Sequence, residues 1–258
     1  MAYDYEYFIK EVEKLTQIDL SAYKQNQMKR RIDALIAKHK IDGYEPYVKV
    51  LKTDRVKFDE FVDYITINVS EFYRNPEQWK FLTEKVFPEL VNNFGQNLKI
   101  WSAACSTGDE PYSLVMALSD FVPLNKIQIM ATDINSQVIE KAKIGLYSEK
   151  SIASVPEAKK KEFFTKNGNF YQISDKVKKC VTFKEHNLLK DPYPTGMHLI
   201  VCRNVLIYFT EEAKDEVFQK FQRSLKPGGV LFIGSTEQIM KYREMGYLRK
   251  SSFFYERG

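Results

Sequence analysis

Apolar residues recur at helical spacing over roughly the first ninety residues, and then the rhythm changes. Phe8, Val12 and Leu15 share one side of a helix expected over residues 3–15. Met28, Ile32, Leu35 and Ile36 mark a second helix over 22–39, with Ser21 as its candidate cap. Asp42-Gly43 breaks the chain, and residues 44–51 and 56–65 read as two further helices. Asn75-Pro76 looks like another helix start, with Asn75 as cap and Pro76 in the first turn. From residue 98, short apolar runs alternate with helical patterns. Strands are expected over 99–103, 127–132, 197–202, 230–233 and 248–255, and helices over 111–122, 136–144 and 210–225. Pro227-Gly228-Gly229 reads as the turn before the strand at 230. This alternation predicts an α/β fold with a mostly parallel sheet covered by helices. Residues 147–186 interrupt it with a short helix over 156–164 and small strands over 170–173 and 181–186, read as an inserted antiparallel β-subdomain. The expected division is a helical domain over 1–75 and an α/β domain over 76–258 that carries the insertion.

The organising stretch joins the first strand to its helix through a turn of small residues, 104–108. Strand, turn and helix in this order form the front half of a nucleotide-type binding unit. The glycine fingerprint of dinucleotide sites is absent, since glycine appears only at Gly108, and Asp109-Glu110 opens the helix. Bare N–H groups at a helix start attract phosphate. Two carboxylates there repel phosphate and suit a ligand with positive charge, such as S-adenosylmethionine. The same pair also serves simply as favourable acids at a helix N-terminus.

Composition narrows the class. The chain has 258 residues, 44% of them hydrophobic, which supports a proper core. No run is long enough to span a membrane, and residues 1–10 do not read as a signal peptide. Cys105, Cys180 and Cys202 include no C-x-x-C pair, which favours reduced thiols and a cytoplasmic location. His39, His186 and His198 are scattered, so no metal site is expected. The formal net charge of +5 points to an acidic partner without identifying it. Lys24, Arg31 and Lys38 fall seven residues apart along one edge of the second helix. They read either as a solvated face or as a docking stripe that nothing local neutralises.

Four further positions could carry chemistry. Asp133 ends the second strand, where an acid can bind ribose hydroxyls or cap the next helix. Asn187-Leu188 follows the insertion, and its amide could hold adenine or a turn. Arg203 and Asn204 interrupt an apolar run at the carboxyl end of a strand, with Tyr208 close behind. Arg74, after Asn68 and Ser70, could grip a carboxylate with a planar fork, or make a surface salt bridge.

Together these stretches resemble the chemotaxis receptor methyltransferases, the CheR family. The resemblance rests on Ile67-Asn68-Val69-Ser70-Glu71-Phe72-Tyr73-Arg74, on Trp101-Ser102-Ala103-Ala104-Cys105-Ser106-Thr107-Gly108-Asp109-Glu110-Pro111-Tyr112-Ser113, on Ala131-Thr132-Asp133-Ile134, on Cys202-Arg203-Asn204-Val205-Leu206-Ile207-Tyr208-Phe209 and on Leu225-Lys226-Pro227-Gly228-Gly229. Gly234-Ser235-Thr236-Glu237 follows in order. The family commonly has Glu-Glu where this chain has Asp109-Glu110. The resemblance implies a class I S-adenosylmethionine-dependent methyltransferase with a small all-helical N-terminal domain. It implies methyl transfer to glutamate side chains in the cytoplasmic helical region of chemoreceptors. By matching position it implies a cofactor pocket of Asn68, Ser70, Arg74, Ala103, Glu110, Asp133, Asn187, Leu188, Arg203 and Asn204, with Arg74 and Tyr208 nearest the reacting centre. Lys24, Arg31 and Lys38 would meet the acidic receptor, and the enzyme would act as a metal-free cytoplasmic monomer. Two enzyme rivals lack their signatures: the glycine fingerprint of a nicotinamide oxidoreductase, and the Asp/Asn-Pro-Pro-Tyr/Phe stretch of a nucleic-acid amino-methyltransferase. A non-catalytic docking module remains open, and turnover separates it from an enzyme.

Overall fold

The computed structural model describes residues 4–258. The chain divides into two compact units. Residues up to 68 together with Leu206–Glu216 form one, and Val69–Val205 with Val217–Gly258 form the other.

The first unit is helical: α1 (Tyr5–Thr16), α2 (Gln25–Lys38), α3 (Tyr44–Thr53) and α4 (Arg55–Thr66). The expected start of α1 at residue 3 lies outside the described residues. Asp4 and Asp54 cap α1 and α4 by accepting the backbone N–H groups of Tyr7 and Lys57. Phe8, Tyr47 and Phe61 pack ring against ring at its centre. Ser21 does not cap α2. Its N–H and hydroxyl both bond the Asp19 carboxylate, at 2.9 and 2.6 Å, inside a 3₁₀ turn over Leu20–Ala22. The segment 206–216 belongs here because it is hydrogen-bonded here. Lys24 N–H donates to the Tyr208 carbonyl and Thr210 N–H to that of Ala22, both at 2.8 Å, and the Tyr23 ring meets Phe209 edge-on.

The second unit is built on β1 (Lys99–Ser102), β2 (Gln128–Asp133), β3 (Leu146–Ser148), β4 (Phe164–Asn167), β5 (Phe170–Ile173), β6 (Val181–Glu185), β7 (Met197–Cys202), β8 (Leu225–Ile233), β9 (Tyr247–Ser251) and β10 (Phe254–Arg257). Seven of these make one sheet in the order β6-β2-β1-β7-β8-β10-β9. It is parallel from β6 to β8, and β10 and β9 are antiparallel. Buried central strands such as β7, whose six residues are all enclosed, need helices around them. These include α5 (Pro76–Phe81), α6 (Phe87–Phe94), α7 (Asp109–Leu118) and α8 (Ser136–Ile144), with α9 (Glu157–Phe163) and α10 (Asp175–Lys178) in the insertion. α11 (Glu211–Ser224) contributes Phe218 and Phe221 from its later turns.

Three expectations change. The strand expected over 181–186 is β6, which pairs in parallel with β2 at the edge of the large sheet. The antiparallel insertion is therefore β3-β5-β4, and it recruits residue 146 from just before the expected start. Pro227-Gly228-Gly229 lies within β8, where the pairing with β7 slips between Met197 and Leu199. The expected terminal strand is a hairpin, because Ser251 turns the chain back onto β8 through β10.

Gly145 makes the turn from α8 into β3. It caps α8 with φ 67°, and a Cβ there would lie 2.6 Å from Ile173 Cγ2. Gly145→Ala is expected to destabilise the protein by about 1–3 kcal/mol, through left-handed strain plus overpacking. Thermal unfolding checks this, and an unchanged midpoint would remove Gly145 as the required hinge.

Candidate active site

Small residues let the chain double back tightly after β1. Gly108 has φ 90°, and a Cβ on it would approach Ala142 Cβ to 2.9 Å and the Tyr147 hydroxyl to 3.1 Å. The Tyr147 hydroxyl in turn donates to the Thr107 carbonyl at 2.7 Å, tying the insertion to the turn.

Asp133 is buried at the end of β2, and its carboxylate holds the turn. Oδ2 accepts Ser106 N–H at 2.8 Å and Oδ1 accepts Asn135 N–H at 3.0 Å. Burial pushes its carboxyl up, and these N–H bonds hold it down. Asp133 thus orders the loop as well as offering lone pairs at a strand end.

The acidic pair splits. Asp109 is 2% exposed and turns inward, where Oδ2 accepts the Thr107 hydroxyl at 2.5 Å and the Ser70 hydroxyl also holds it. Only Glu110 keeps a partly open carboxylate, its side chain 12% exposed. Oε1 accepts the Ser102 hydroxyl at 2.8 Å, and Oε2 lies 3.8 Å from Arg203 Nη1. Burial raises Glu110 to about 7, against the opposing pull of Arg203 and Ser102, with Glu237 adding to the rise and Arg74 opposing it. Keeping it ionised above that pH costs the ligand-free protein roughly 3 kcal/mol.

Arg203 is the hub. The two protons of its buried Nη2 are shared among the Arg74 carbonyl at 2.8 Å, Asn75 Oδ1 at 2.9 Å and Gln78 Oε1 at 2.9 Å, and the guanidinium lies 4.6 Å from the Phe232 ring centre. Asn75 holds the N-cap position of α5, with Pro76 in the first turn, but its side chain does not cap the helix. It has φ 62° and makes no capping bond, because its side chain serves Arg203. The Tyr73 N–H donates to the Ser113 hydroxyl at 3.1 Å, which clamps the same loop to α7. Between Tyr73 (φ 50°) and Asn75, the Arg74 side chain is only partly buried, and Nη1 reaches the Val69 carbonyl at a long 3.4 Å. Ser106 and Asn204 are also left-handed, so strained residues gather at these loops.

Sequence reasoning gave no role to Glu237 or Gln78. Glu237 is 2% exposed and Oε2 accepts the N–H groups of Asn204 and Gly234, both at 2.8 Å. Its only signal was its place in the Gly-Ser-Thr-Glu stretch. Asn187 Oδ1 accepts Leu189 N–H at 2.9 Å, the turn role, and the Leu188 carbonyl accepts the Tyr193 hydroxyl. Ala103 is buried and its N–H donates to Val201. Burial pushes the Cys105 and Cys202 thiols up, which removes both as nucleophiles at neutral pH. Among the described residues no His/Cys/Asp/Glu cluster could hold a metal.

Ser70, Arg74, Ala103, Glu110, Asp133, Asn187, Leu188, Arg203 and Asn204 all belong to the second unit, while Asn68 and Tyr208 belong to the first. Within the first unit Tyr208 lines a groove of about 410 Å³ with Lys24, Arg30, Arg31 and Tyr64. The basic stripe is not uniformly free. Lys38 is paired to Glu60 at 2.6 Å, and Arg31 donates to the Tyr64 carbonyl and lies over its ring. The expectation that nothing local neutralises the stripe thus fails at Lys38, because α4 places Glu60 beside it.

A cationic ligand favours the ionised form of Glu110. Affinity for S-adenosylmethionine is therefore expected to fall as pH drops through about 7, with protons released on binding near that pH. Glu110→Gln should bind more weakly at pH 8 and lose this dependence. Calorimetry in buffers of different ionisation enthalpy measures both, and a pH-independent affinity in the unaltered chain would rule out Glu110 as the group facing the cation.

The chain matches "CheR methyltransferase, SAM binding domain" over residues 68–254 and "CheR methyltransferase, all-alpha domain" over residues 3–66. It is 44% identical to a chemotaxis protein methyltransferase of Listeria monocytogenes, covering 98% of this chain and 96% of that one. It is 34% identical to chemotaxis protein methyltransferase 1 of Pseudomonas aeruginosa, covering 92% and 90%. It is 31% identical to a chemotaxis protein methyltransferase of Borreliella burgdorferi, covering 92% and 88%. The chain belongs to the CheR methyltransferase family, with that family's all-helical domain and its S-adenosylmethionine-binding domain.

Proposed function

We propose that this protein transfers a methyl group from S-adenosylmethionine to glutamate side-chain carboxylates in the cytoplasmic helices of chemoreceptors, forming methyl esters. The observation that carries this reading is Arg74. Its backbone is fixed by Arg203 and Trp79, while its guanidinium makes one long bond to Val69. A fixed base and an uncommitted planar fork suit it to orient a carboxylate. When bound, S-adenosylmethionine supplies an electrophilic methyl on a sulfonium. A glutamate carboxylate is already ionised at neutral pH, so the acceptor needs no general base and the buried thiols are no obstacle.

Glu110 faces the cofactor's positive end, Asp133 its ribose, and Asn187 and Leu188 its adenine. Ser70, Ala103 and Asn204 complete the pocket in this reading, and Arg203 braces it. The groove of Lys24, Arg30 and Arg31 meets the acidic receptor, and the enzyme works in the cytoplasm as a monomer. Incubating the protein with labelled cofactor and receptor cytoplasmic fragments tests the reading. Base-labile label released as methanol is expected. Alkali-stable label indicates N-methylation, and no transfer favours a docking module.

Arg74→Lys keeps the charge and loses the fork. A fall of about 10- to 100-fold in turnover is expected, with thermal unfolding little changed. Near-normal turnover would exclude Arg74 as the positioning group.

Lys24→Gln with Arg30→Gln should raise the receptor KM and flatten its salt dependence, since steering by exposed charge is screened. Lys38→Gln should do neither, because that charge is already paired. Equal behaviour of the two variants would move the docking surface off the groove.

A further inference from the structure

The site above uses the carboxyl ends of the parallel strands. At their amino ends a cleft of about 760 Å³ opens beside the starts of β1, β2, β6 and β7. It is open because the link from β6 to β7, residues 186–196, forms no helix. Parallel crossovers usually place one there. Gln128, Thr182 and Lys184 are consequently exposed, with Met130 half-buried opposite Thr182. Gln128 and Asp133 are five residues apart on β2, roughly 16 Å, so the Gln128 end of the cleft is remote from the cofactor end, while Lys184, opposite Thr132, marks its near limit.

Four lysines line the cleft, Lys99, Lys126, Lys179 and Lys184, and no carboxylate does. Lys126 bonds only the neutral amide of Gln96, at 2.7 Å. Lysines on an edge strand also block sheet extension. That accounts for Lys184 on β6. It does not account for Lys99, two strands inside, or for Lys126, in the 3₁₀ turn Leu124–Lys126. The charge is supplied by lysine alone, with no arginine. Lysines bind phosphate oxygens as point charges, without the geometric demand of the arginine fork. The volume is that of a small-molecule site. The rest of the wall is mixed, with the amides of Asn97, Asn125 and Gln128 beside Met130, Pro194 and Met197.

We propose that this cleft binds a nucleoside phosphate, with the phosphates on the lysines and the base against the apolar wall, read by the amides. The full chain, saturated with S-adenosylhomocysteine to fill the adenosine site, is titrated calorimetrically with GTP, inorganic tripolyphosphate and a polyglutamate peptide. GTP is expected to bind, more weakly as salt rises, and tripolyphosphate at least about tenfold less tightly. Lys99→Gln with Lys184→Gln, both exposed, should weaken GTP by about tenfold or more and leave thermal unfolding and S-adenosylhomocysteine affinity unchanged. The proposal is overturned by the absence of GTP binding, by GTP affinity untouched in the double variant, or by tripolyphosphate equalling GTP. A preference for polyglutamate also overturns it and makes the cleft an acidic-peptide site.

Discussion

A buried guanidinium must find acceptors, and the loops of this site gather around one end of Arg203, its Nη2. Arg203 comes from the end of a fully buried strand and draws in the Arg74 carbonyl, the Asn75 amide and the Gln78 amide. Its charge also holds down Glu110, which burial alone would push further up. Losing one member of such a network strands the others in a place water does not reach, so the members act as a unit. The left-handed backbone at Tyr73, Asn75 and Asn204 follows from this arrangement, since the chain must bend sharply to present those groups to a fixed centre.

Glu110 is the second consequence. A carboxylate with a single partly distant cation is left incompletely matched, and the mismatch is a reservoir that a positively charged ligand can relieve. Asp109, one residue earlier, shows the contrast. The Thr107 and Ser70 hydroxyls tie its carboxylate into the turn, and the Ser113 hydroxyl bonds its backbone carbonyl.

Much of this was legible in the sequence, and what was not has physical causes. The strand-helix rhythm identified the parallel sheet because buried strands and amphipathic helices differ in period. β6 was misplaced because a short edge strand with alternating polar residues looks the same in a small antiparallel sheet as at the rim of a large one. Asp133, Arg203 and Glu110 stood out as polar residues at strand ends or a helix start. Glu237 did not, since a buried acid in a loop has no periodicity to violate and its two backbone partners lie in other segments. The pairing of Lys38 with Glu60 was hidden for the same reason: helix faces can be read from spacing, but their neighbours cannot.

The return of residues 206–216 to the helical unit bears on how the protein is made. A ribosome finishes the four helices by residue 66, yet the strand bridge to Tyr23 waits for Phe209. Roughly 150 residues separate Asn68 from the end of that segment, so at typical elongation rates the helical unit stays incomplete for about 7–30 s while the sheet is being synthesised. During that interval the basic groove lacks Tyr208, one of its walls. The order of synthesis thus prevents the basic groove from being completed before most of the S-adenosylmethionine-binding domain has emerged.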